Sequence, residues 1–394
     1  MNRPDLLQRM VAACRQREHG GLRRQSIVLE NLDGVHGRMD GQTVTCFCSN
    51  DCLGLAHHPA IAGALQTSVV QCGVGSTGSH LISGHRREHA QLEEALADWT
   101  GRESALVFSS GMMANLGVMQ ALLARGDVCV QDKLDHVSLI DAARSVGATL
   151  KRYPHADVQA AARQLATSGE TAVLIATDGV FSMDGDIAPL AELAALAARE
   201  NATLMVDDAH GLGVVGPDGS GSVRAAELTQ DDVPVLMGTL GKALGCHGAF
   251  VAGSASLIEG LVQFARSYIY TTALPPALAA AAHAAVGIAR RETERRDKLA
   301  ALVDRFRRGA VQLGLPLMPS STPIQPLLVG DNARTVTAQN LLADAGFLVV
   351  AIRPPTVPAH QARLRITLSA AHADDDVDRL LDALATVFRQ IPPM

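Results

Sequence analysis

The chain has 394 residues, of which 47% are hydrophobic and 19% are charged; this is enough apolar material for a large core and excludes a wholly disordered protein. A net charge of −6 and only 12 aromatic residues (8 Phe, 3 Tyr and 1 Trp) exclude a general nucleic-acid-binding protein, which needs surplus cations and stacking surfaces. We therefore expect an enzyme-sized protein with no nucleic-acid partner.

The start of the chain predicts a helix and not a signal peptide, because its apolar residues recur at helical spacing. These residues are Leu6, Leu7, Met10, Val11 and Cys14. The most apolar stretch, 273–289, is interrupted by prolines and is too short to cross a bilayer. Seven scattered cysteines indicate reduced thiols. Together these features predict a cytoplasmic protein with no membrane partner.

Apolar runs alternate with amphipathic stretches through most of the chain. After a short strand at 43–48, the strand-like runs are 105–108, 128–131, 172–177, 203–206, 233–237 and 249–252. The helical stretches between them include 88–99, 113–123, 158–165 and 190–199. This alternation predicts an α/β fold built on a mostly parallel sheet with helices on both faces.

The C-terminal part has a different pattern. Residues 274–313 predict one long helix, followed by short strands at 324–329, 347–352 and 363–368 and by helices at 335–345 and 375–389. We expect a smaller α+β domain here. The predicted division is 1–55 as an N-terminal helix and strand segment, 56–290 as the large domain and 291–394 as the small C-terminal domain.

Two glycine-rich segments match the dinucleotide-binding pattern G-x-G-x-x-G, but each lacks part of the required context. Residues 73–78 follow a predicted helix, whereas the fingerprint requires a strand. Residues 211–216 follow a strand, but Pro217, Gly219 and Gly221 stand where the phosphate-binding helix should begin. We interpret both segments as turn-rich loops and do not expect a nicotinamide site.

Cysteines and histidines cluster between positions 46 and 58, which invites comparison with metal sites. The cluster consists of Cys46, Cys48, Cys52, His57 and His58. Its C-x-C-x3-C spacing does not match the paired knuckles of structural zinc sites. We therefore expect buried thiols on a strand and loop, and no metal.

Three segments that directly follow predicted strands carry the chemistry, because ligands of open α/β sheets bind beyond the carboxyl ends of the strands. In the first, Lys242 lies among glycines and small residues, in Thr239-Leu240-Gly241-Lys242-Ala243-Leu244-Gly245. Burial there would lower the pKa of the lysine and free its amine for Schiff-base chemistry. A surface lysine in a tight turn is the alternative.

The other two segments add an acidic residue and a candidate anion-binding site. In Asp207-Asp208-Ala209-His210, a carboxylate and a histidine can point into one cleft, although an acidic turn or a cap would have the same composition. In Phe108-Ser109-Ser110-Gly111, a strand runs into a helix whose free N–H groups can bind phosphate; an ordinary capped helix is the alternative. Together the three segments supply what pyridoxal phosphate needs.

Two further segments add to this pattern: Ser49-Asn50-Asp51-Cys52-Leu53-Gly54-Leu55 and the run 178–186. With all five segments, nearly the whole chain resembles the α-oxoamine synthase family of fold-type-I pyridoxal-phosphate enzymes. The resemblance implies a seven-stranded sheet in the cofactor-binding large domain, and a homodimer with active sites at the interface. The run Arg353-Pro354-Pro355-Thr356-Val357-Pro358, followed by 362–368, favours the family member that acts in biotin biosynthesis.

The resemblance also implies the roles of individual residues. Lys242 would carry the cofactor as a Schiff base, Asp207 would pair with the pyridine nitrogen, and His136 would stack on the ring. The implied catalytic residues are Lys242, His136, Asp207 and His210. The implied cofactor-binding residues are Gly111, Met112, His136, Ser182, Asp207, His210, Thr239 and Lys242, with Thr271 and Thr272 reaching the phosphate of the neighbouring subunit. The implied substrate-binding residues are Arg23, Asn50, His136, Arg353 and Thr356, of which Asn50 and Arg353 would bind the carboxylate of the amino acid.

The implied reaction is a decarboxylative condensation of L-alanine with pimeloyl-CoA or another acyl thioester. Within the family, the alternative is glycine with acetyl-CoA or succinyl-CoA, as in glycine C-acetyltransferase or 5-aminolevulinate synthase. An aminotransferase on the same fold is a more remote alternative. A further alternative is a non-catalytic dinucleotide-binding or metal-binding protein. Such a protein would lack the visible absorbance of a lysine–pyridoxal imine.

Overall fold

The structure is a computed structural model that describes residues 3–20, 22–24 and 26–391, including the side chains of all of these except Asn31 and Leu32. The first elements are helix α1 (Leu6–His19), strands β1 (Glu30–Asp33), β2 (His36–Met39) and β3 (Gln42–Cys46), helix α2 (Pro59–Cys72), a π-helical turn (His80–Gly84) and helix α3 (Arg87–Thr100). The predicted N-terminal helix is confirmed. Its apolar stripe is exposed, with Leu7 at 69%.

The large sheet confirms the predicted architecture. Its strands and the elements between them are β4 (Ser104–Phe108), α4 (Gly111–Leu122), β5 (Val128–Asp132), α5 (Val137–Ser145), β6 (Thr149–Tyr153), α6 (Val158–Ala166), β7 (Val173–Asp178), α7 (Leu190–Arg199), β8 (Thr203–Asp207), α8 (Ser222–Ala225), β9 (Val235–Thr239) and β10 (Ala249–Gly253). The seven strands are ordered β4-β10-β9-β8-β7-β5-β6. Strand β10 runs antiparallel to both of its neighbours, while β6, β5, β7, β8 and β9 pair in parallel.

Helices cover both faces of this sheet because alternate strand residues point to opposite sides. On β7, for example, Leu174 and Ala176 belong to the apolar cluster formed with α4, α5 and α9 (Ala255–Phe264). Ile175, between them, belongs to the cluster formed with α6 and α7. The strands are therefore apolar on both faces, which is why they are recognisable in the sequence as continuous apolar runs.

Strand β6 was not among the runs predicted from the sequence. It lies at the edge of the sheet, paired only with β5, and most of its side chains are partly exposed. Edge strands can therefore carry polar residues such as Lys151 and Arg152, and this one gives no apolar run.

The remaining elements are α10 (Arg266–Ile269), α11 (Pro276–Arg291), α12 (Thr293–Gln312), β11 (Ile324–Gly330), α13 (Asn332–Asp344), β12 (Phe347–Leu348), β13 (Val350–Ile352), β14 (Ala362–Thr367) and α14 (Asp374–Gln390). The prediction of one long helix at 274–313 was wrong. The chain leaves the helical conformation at Glu292 (φ −86°, ψ 70°), so α11 and α12 are separate helices.

The predicted strand at 347–352 is also divided, because its two halves pair with different partners. Strand β12 pairs in parallel with β3, whereas β13 joins the sheet β11-β14-β13. The N-terminal strands thus share a four-stranded sheet, β1-β2-β3-β12, with the C-terminal part of the chain. The three-way division of the chain stays a prediction. Within the described ranges, no helix is long and apolar enough to cross a membrane.

Candidate active site

The site is a cavity of about 210 Å³ at the carboxyl ends of the parallel strands. Asp178, Asp207 and Thr239, which are the last residues of β7, β8 and β9, lie on its wall. Eight residues predicted to bind the cofactor line this one cavity: Gly111, Met112, His136, Ser182, Asp207, His210, Thr239 and Lys242. The rule that ligands bind where strands end therefore located the cavity from the sequence.

Lys242 is half-buried in the loop that follows β9. Burial lowers the pKa of its ammonium group, although Asp207 and Asp178 act in the opposite direction. Burial also lowers the pKa of His210 well below its usual range, and the positive charge of Lys242 adds to that effect. The cavity thus favours a neutral histidine beside an amine that loses its proton more readily than a free lysine does.

Asp207 is a buried carboxylate, 4% exposed, held by two neutral donors. Its Oδ1 accepts the backbone N–H of Ala209 (3.1 Å), and its Oδ2 accepts the side-chain amide of Asn115 (2.8 Å). Asp178 lies beside it on the neighbouring strand, in register with Asp207. Burial and the charge of Asp207 raise the pKa of Asp178 well above its usual value.

The adjacent Asp208 has a structural role. Its carboxylate accepts both the backbone N–H (2.6 Å) and the hydroxyl (2.7 Å) of Ser222. A side-chain carbon at Gly211 would lie 2.1 Å from Asp208 Oδ1, so only glycine fits there. The glycine-rich segment 211–216 is therefore a turn packed around Asp208, as predicted, and the segment 73–78 follows helix α2 and no strand.

The start of helix α4 forms another wall of the cavity. Ser110 caps the helix by accepting the N–H of Met113 (3.3 Å), while Gly111 and Met112 lie at the cavity. The first N–H groups of a helix have no partner within it and attract anions. Thr239 completes this wall, with its hydroxyl donating to the carbonyl of Gly248 (3.0 Å).

His136 and Ser182 lie on opposite loops of the cavity wall. His136 caps helix α5, and its backbone N–H donates to Asp178 Oδ1 (3.3 Å). Partial burial lowers the pKa of His136 and outweighs the charge of Asp207, which would raise it; the charge of Lys242 adds to the lowering. The carbonyl of Ser182 accepts Nε of Arg365 (2.6 Å).

Arg365 is a site residue that was not predicted. It is buried, its Nη2 donates to Asn50 Oδ1 (3.2 Å), and its charge contributes to the lowered pKa values of Lys242 and His210. Arginine is rarely buried without a partner, so two arginines in the strand 363–368 were a usable signal. Asn115 and Ser138 were also missed, because nothing in their local sequence distinguishes them from ordinary helix residues.

The predicted substrate-binding residues Arg23, Arg353 and Thr356 lie apart from Lys242, on a second cavity of about 700 Å³. Arg23 forms an exposed ion pair with Glu18 (2.6 Å). Asn50 accepts a hydrogen bond from Arg365 Nη2 (3.2 Å). Of the predicted substrate residues, only His136 lines the cavity that contains Lys242.

Thr271 and Thr272 follow α10 on the surface and do not line the first cavity. Thr272 pairs with Ser79 in an isolated antiparallel bridge. The cysteines of the predicted non-metal cluster are free thiols, with Cys46 Sγ 3.6 Å from Cys48 Sγ. Among the described residues, no group of three or more His, Cys, Asp or Glu side chains is arranged to hold a metal ion.

These residues fit pyridoxal phosphate. One cavity combines a lysine of lowered pKa, a buried carboxylate that accepts hydrogen bonds from two neutral donors, and the open N-terminus of a helix. The carboxylate suits a protonated pyridine nitrogen, the amine suits an aldehyde, and the helix start suits a phosphate. The fold and the site therefore define a fold-type-I pyridoxal-phosphate enzyme.

Comparison with known proteins agrees with this class. The profile of the Aminotransferase class I and II family matches residues 42–384. The chain is 55% identical over 391 residues to an 8-amino-7-oxononanoate synthase of Alkalilimnicola ehrlichii, covering 99% of this chain and 100% of that protein.

Two solved structures resemble the fold. A serine palmitoyltransferase from S. paucimobilis with a bound PLP–myriocin aldimine has a TM-score of 0.93 at 28% identity, covering 98% of this chain and 99% of that one. An 8-amino-7-oxononanoate synthase from Francisella tularensis has a TM-score of 0.77 at 28% identity, covering 88% and 98%. The chain belongs to the class I and II aminotransferase family and, within it, to the 8-amino-7-oxononanoate synthases.

Proposed function

We propose that the chain catalyses the decarboxylative condensation of L-alanine with pimeloyl-CoA, which gives 8-amino-7-oxononanoate, CoA and CO2 in biotin biosynthesis. The observation that carries the proposal is the near full-length similarity to 8-amino-7-oxononanoate synthases. The cavity adds physical support, because it combines the groups that a carbanion at Cα of an amino acid requires.

Pyridoxal phosphate, which Lys242 would hold as a Schiff base, would supply the electron sink that stabilises this carbanion. Once the amino group of alanine has displaced it, the free amine of Lys242, whose pKa is lowered by burial, would take the proton from Cα of alanine and later return a proton to the product. Asp207 would keep the ring nitrogen protonated, and His210 and Ser182 would reach the phenolic oxygen of the ring. Gly111, Met112 and Thr239 would hold the phosphate.

We assign the carboxylate of alanine to Arg365 together with Asn50. The charge of Arg365 acts on Lys242, and Asn50 accepts a hydrogen bond from Arg365. An arginine can bind a carboxylate with two parallel hydrogen bonds. The family resemblance implied this role for Arg353, but Arg353 lies on the larger cavity with Arg23 and Thr356. Those three residues suit the acyl thioester, whose chain and carrier need more room than alanine does.

We also propose a cytoplasmic homodimer in which Thr271 and Thr272 reach the phosphate bound by the neighbouring subunit. The surface around them is apolar, as expected of an interface: Tyr270 is 71% exposed, and Ile82, in the turn that follows Ser79, is 84% exposed. The seven free cysteines are compatible with a reducing compartment.

The reaction is tested by CoA release from the purified, pyridoxal-phosphate-loaded protein. L-Alanine with pimeloyl-CoA is compared with glycine plus acetyl-CoA or succinyl-CoA, and product mass identifies the aminoketone. Release that requires alanine and pimeloyl-CoA supports the proposal. Release only with glycine, or from none of the pairs, contradicts it.

The shared site is tested by mixing two inactive variants, Lys242→Ala and the double variant Thr271→Val/Thr272→Val. In a mixed dimer, one site combines the intact lysine of one subunit with the intact threonines of the other. Random reassociation should therefore restore about a quarter of the wild-type activity. No recovery, although mixed dimers form, would place the threonines in the same subunit's site.

A further inference from the structure

A hydrogen-bonded chain runs from Asp207 to His136 behind the cavity wall. Asn115, on α4, has no exposed surface, and its Nδ2 donates both to Asp207 Oδ2 (2.8 Å) and to Ser138 Oγ (2.8 Å). Its Oδ1 is buried and has no partner among the described residues. The reverse orientation of the amide would place Oδ1 against the Asp207 carboxylate, so charge fixes the donor side.

The hydroxyl of Ser138 connects Asn115 to the ring of His136. Because Ser138 Oγ accepts a hydrogen bond from Asn115, its own hydrogen is left for Nδ1 of His136, which lies 2.7 Å away. The backbone N–H of Ser138 donates to the same Nδ1 (3.3 Å). Two donors therefore converge on Nδ1, and a neutral ring must carry its hydrogen on Nε2.

Burial favours this neutral form over the charged one. It lowers the pKa of His136 most strongly, the negative charge of Asp207 acts in the opposite direction, and the positive charge of Lys242 in the same cavity adds to the lowering. His210 shares the wall, and its pKa is in turn lowered by His136. Asp178 accepts the backbone N–H of His136, and Asp207 acts through Asn115 and Ser138, so neither carboxylate bonds the ring directly.

We propose that Asn115 and Ser138 are positioning residues: anchored on the Asp207 carboxylate, they direct donors at Nδ1 of His136 and so keep the hydrogen of the neutral ring on Nε2. This inference rests on the proposed function only for its purpose, because a neutral His136 would be suited to stack on the cofactor. Asp207 would then hold the ring nitrogen of the cofactor directly and would orient the histidine through Asn115 and Ser138.

The tautomer is tested without turnover, by long-range 1H–15N NMR on the cofactor-free protein labelled with 15N-histidine. The His136→Asn variant identifies the His136 signals. Wild type should show hydrogen on Nε2. Ser138→Ala keeps only the weaker backbone donor to Nδ1 and should therefore shift the ring toward a mixture with the Nδ1 form. Ser145→Ala is the matched control, because Ser145 is on the same helix and donates only to the Ala142 carbonyl.

Hydrogen on Nδ1 in wild type, or an unchanged Nε2 form in Ser138→Ala, would overturn the proposal whatever reaction the protein catalyses. In the loaded enzyme, Ser138→Ala should lower kcat about three- to tenfold, the usual effect of one lost hydrogen bond, and move the acidic limb of the kcat profile to higher pH. Ser138→Thr retains the hydroxyl and should restore the profile. A uniform loss of activity at every pH would indicate a structural role only.

Discussion

Arg363 and Asp184 form an ion pair in which Nη1 and Oδ1 are 2.6 Å apart, with the arginine side chain fully buried and the aspartate 14% exposed. The pair joins strand β14 to the loop after β7, which also carries Ser182. Two residues further along the same strand, Arg365 donates to the Ser182 carbonyl. The C-terminal sheet therefore holds one wall of the cavity in place through two arginines.

The first prediction concerns this pair. Arg363→Met should lower the free energy of unfolding by about 3–5 kcal/mol, because removing one partner leaves a charge buried without compensation. Urea unfolding at fixed protein and cofactor concentration measures the loss. Arg308→Met is the control, since the pair of Arg308 with Asp304 is exposed and should contribute at most about 1 kcal/mol. Equal losses in the two variants would refute the coupling.

The second prediction concerns the amine. Lys242→Ala should lower kcat by at least about a thousandfold, since it removes both the attachment of the cofactor and the proton acceptor. The visible absorbance of the lysine–pyridoxal imine should disappear, while the unfolding temperature of the cofactor-free protein should change little. CoA release and absorbance are measured on the same sample. Wild-type turnover in this variant would remove Lys242 from the mechanism.

The third prediction separates the two arginines of the substrate sites. Arg365→Lys should raise the KM for L-alanine about 10- to 100-fold, because lysine keeps the charge but loses the paired hydrogen bonds. Arg353→Lys should leave that KM unchanged and raise the KM for pimeloyl-CoA instead. Steady-state kinetics with each substrate varied in turn measure both values. If only Arg353→Lys affected alanine, the original assignment from sequence would stand.

Arg353 and Arg365 show which parts of the site could be predicted from the sequence. The ends of the apolar strands located Asp207, Lys242 and the start of α4, because parallel strands end at one edge of a sheet. Arg365 donates a hydrogen bond to Asn50, 315 positions earlier in the chain, and no local pattern predicts such a contact.

The same limit applies elsewhere. The break at Glu292 changes two backbone angles without interrupting the apolar period, so the sequence predicted one helix where there are two. Asn115 matters only because α4 passes behind Asp207. Local patterns therefore predicted the layers and the cavity, while long-range contacts determined which polar side chains complete the site.

The last prediction concerns His155, which links the two loops that carry His136 and Ser182. Its Nδ1 lies 3.2 Å from Asp132 Oδ1, and its Nε2 lies 2.8 Å from Asp186 Oδ2. Burial alone would lower its pKa, but the hydrogen bonds to Asp132 and Asp186 outweigh burial and raise the pKa from 6.5 to about 10. The folded protein therefore binds this proton more tightly than the unfolded chain does.

Protonation of His155 therefore stabilises the folded protein. This stabilisation is complete below about pH 6.5, where the histidine is charged in both the folded and the unfolded chain, and it is lost as the pH rises toward 10. His155→Gln should thus be less stable than wild type by on the order of 2–4 kcal/mol at pH 6, and nearly equal to it above pH 10. Urea unfolding at pH 6, 8 and 10 measures the difference, with His283→Gln on the exposed side of α11 as the control. A difference that stayed constant across this range would show that the ring acts by packing against Phe181 and not by its charge.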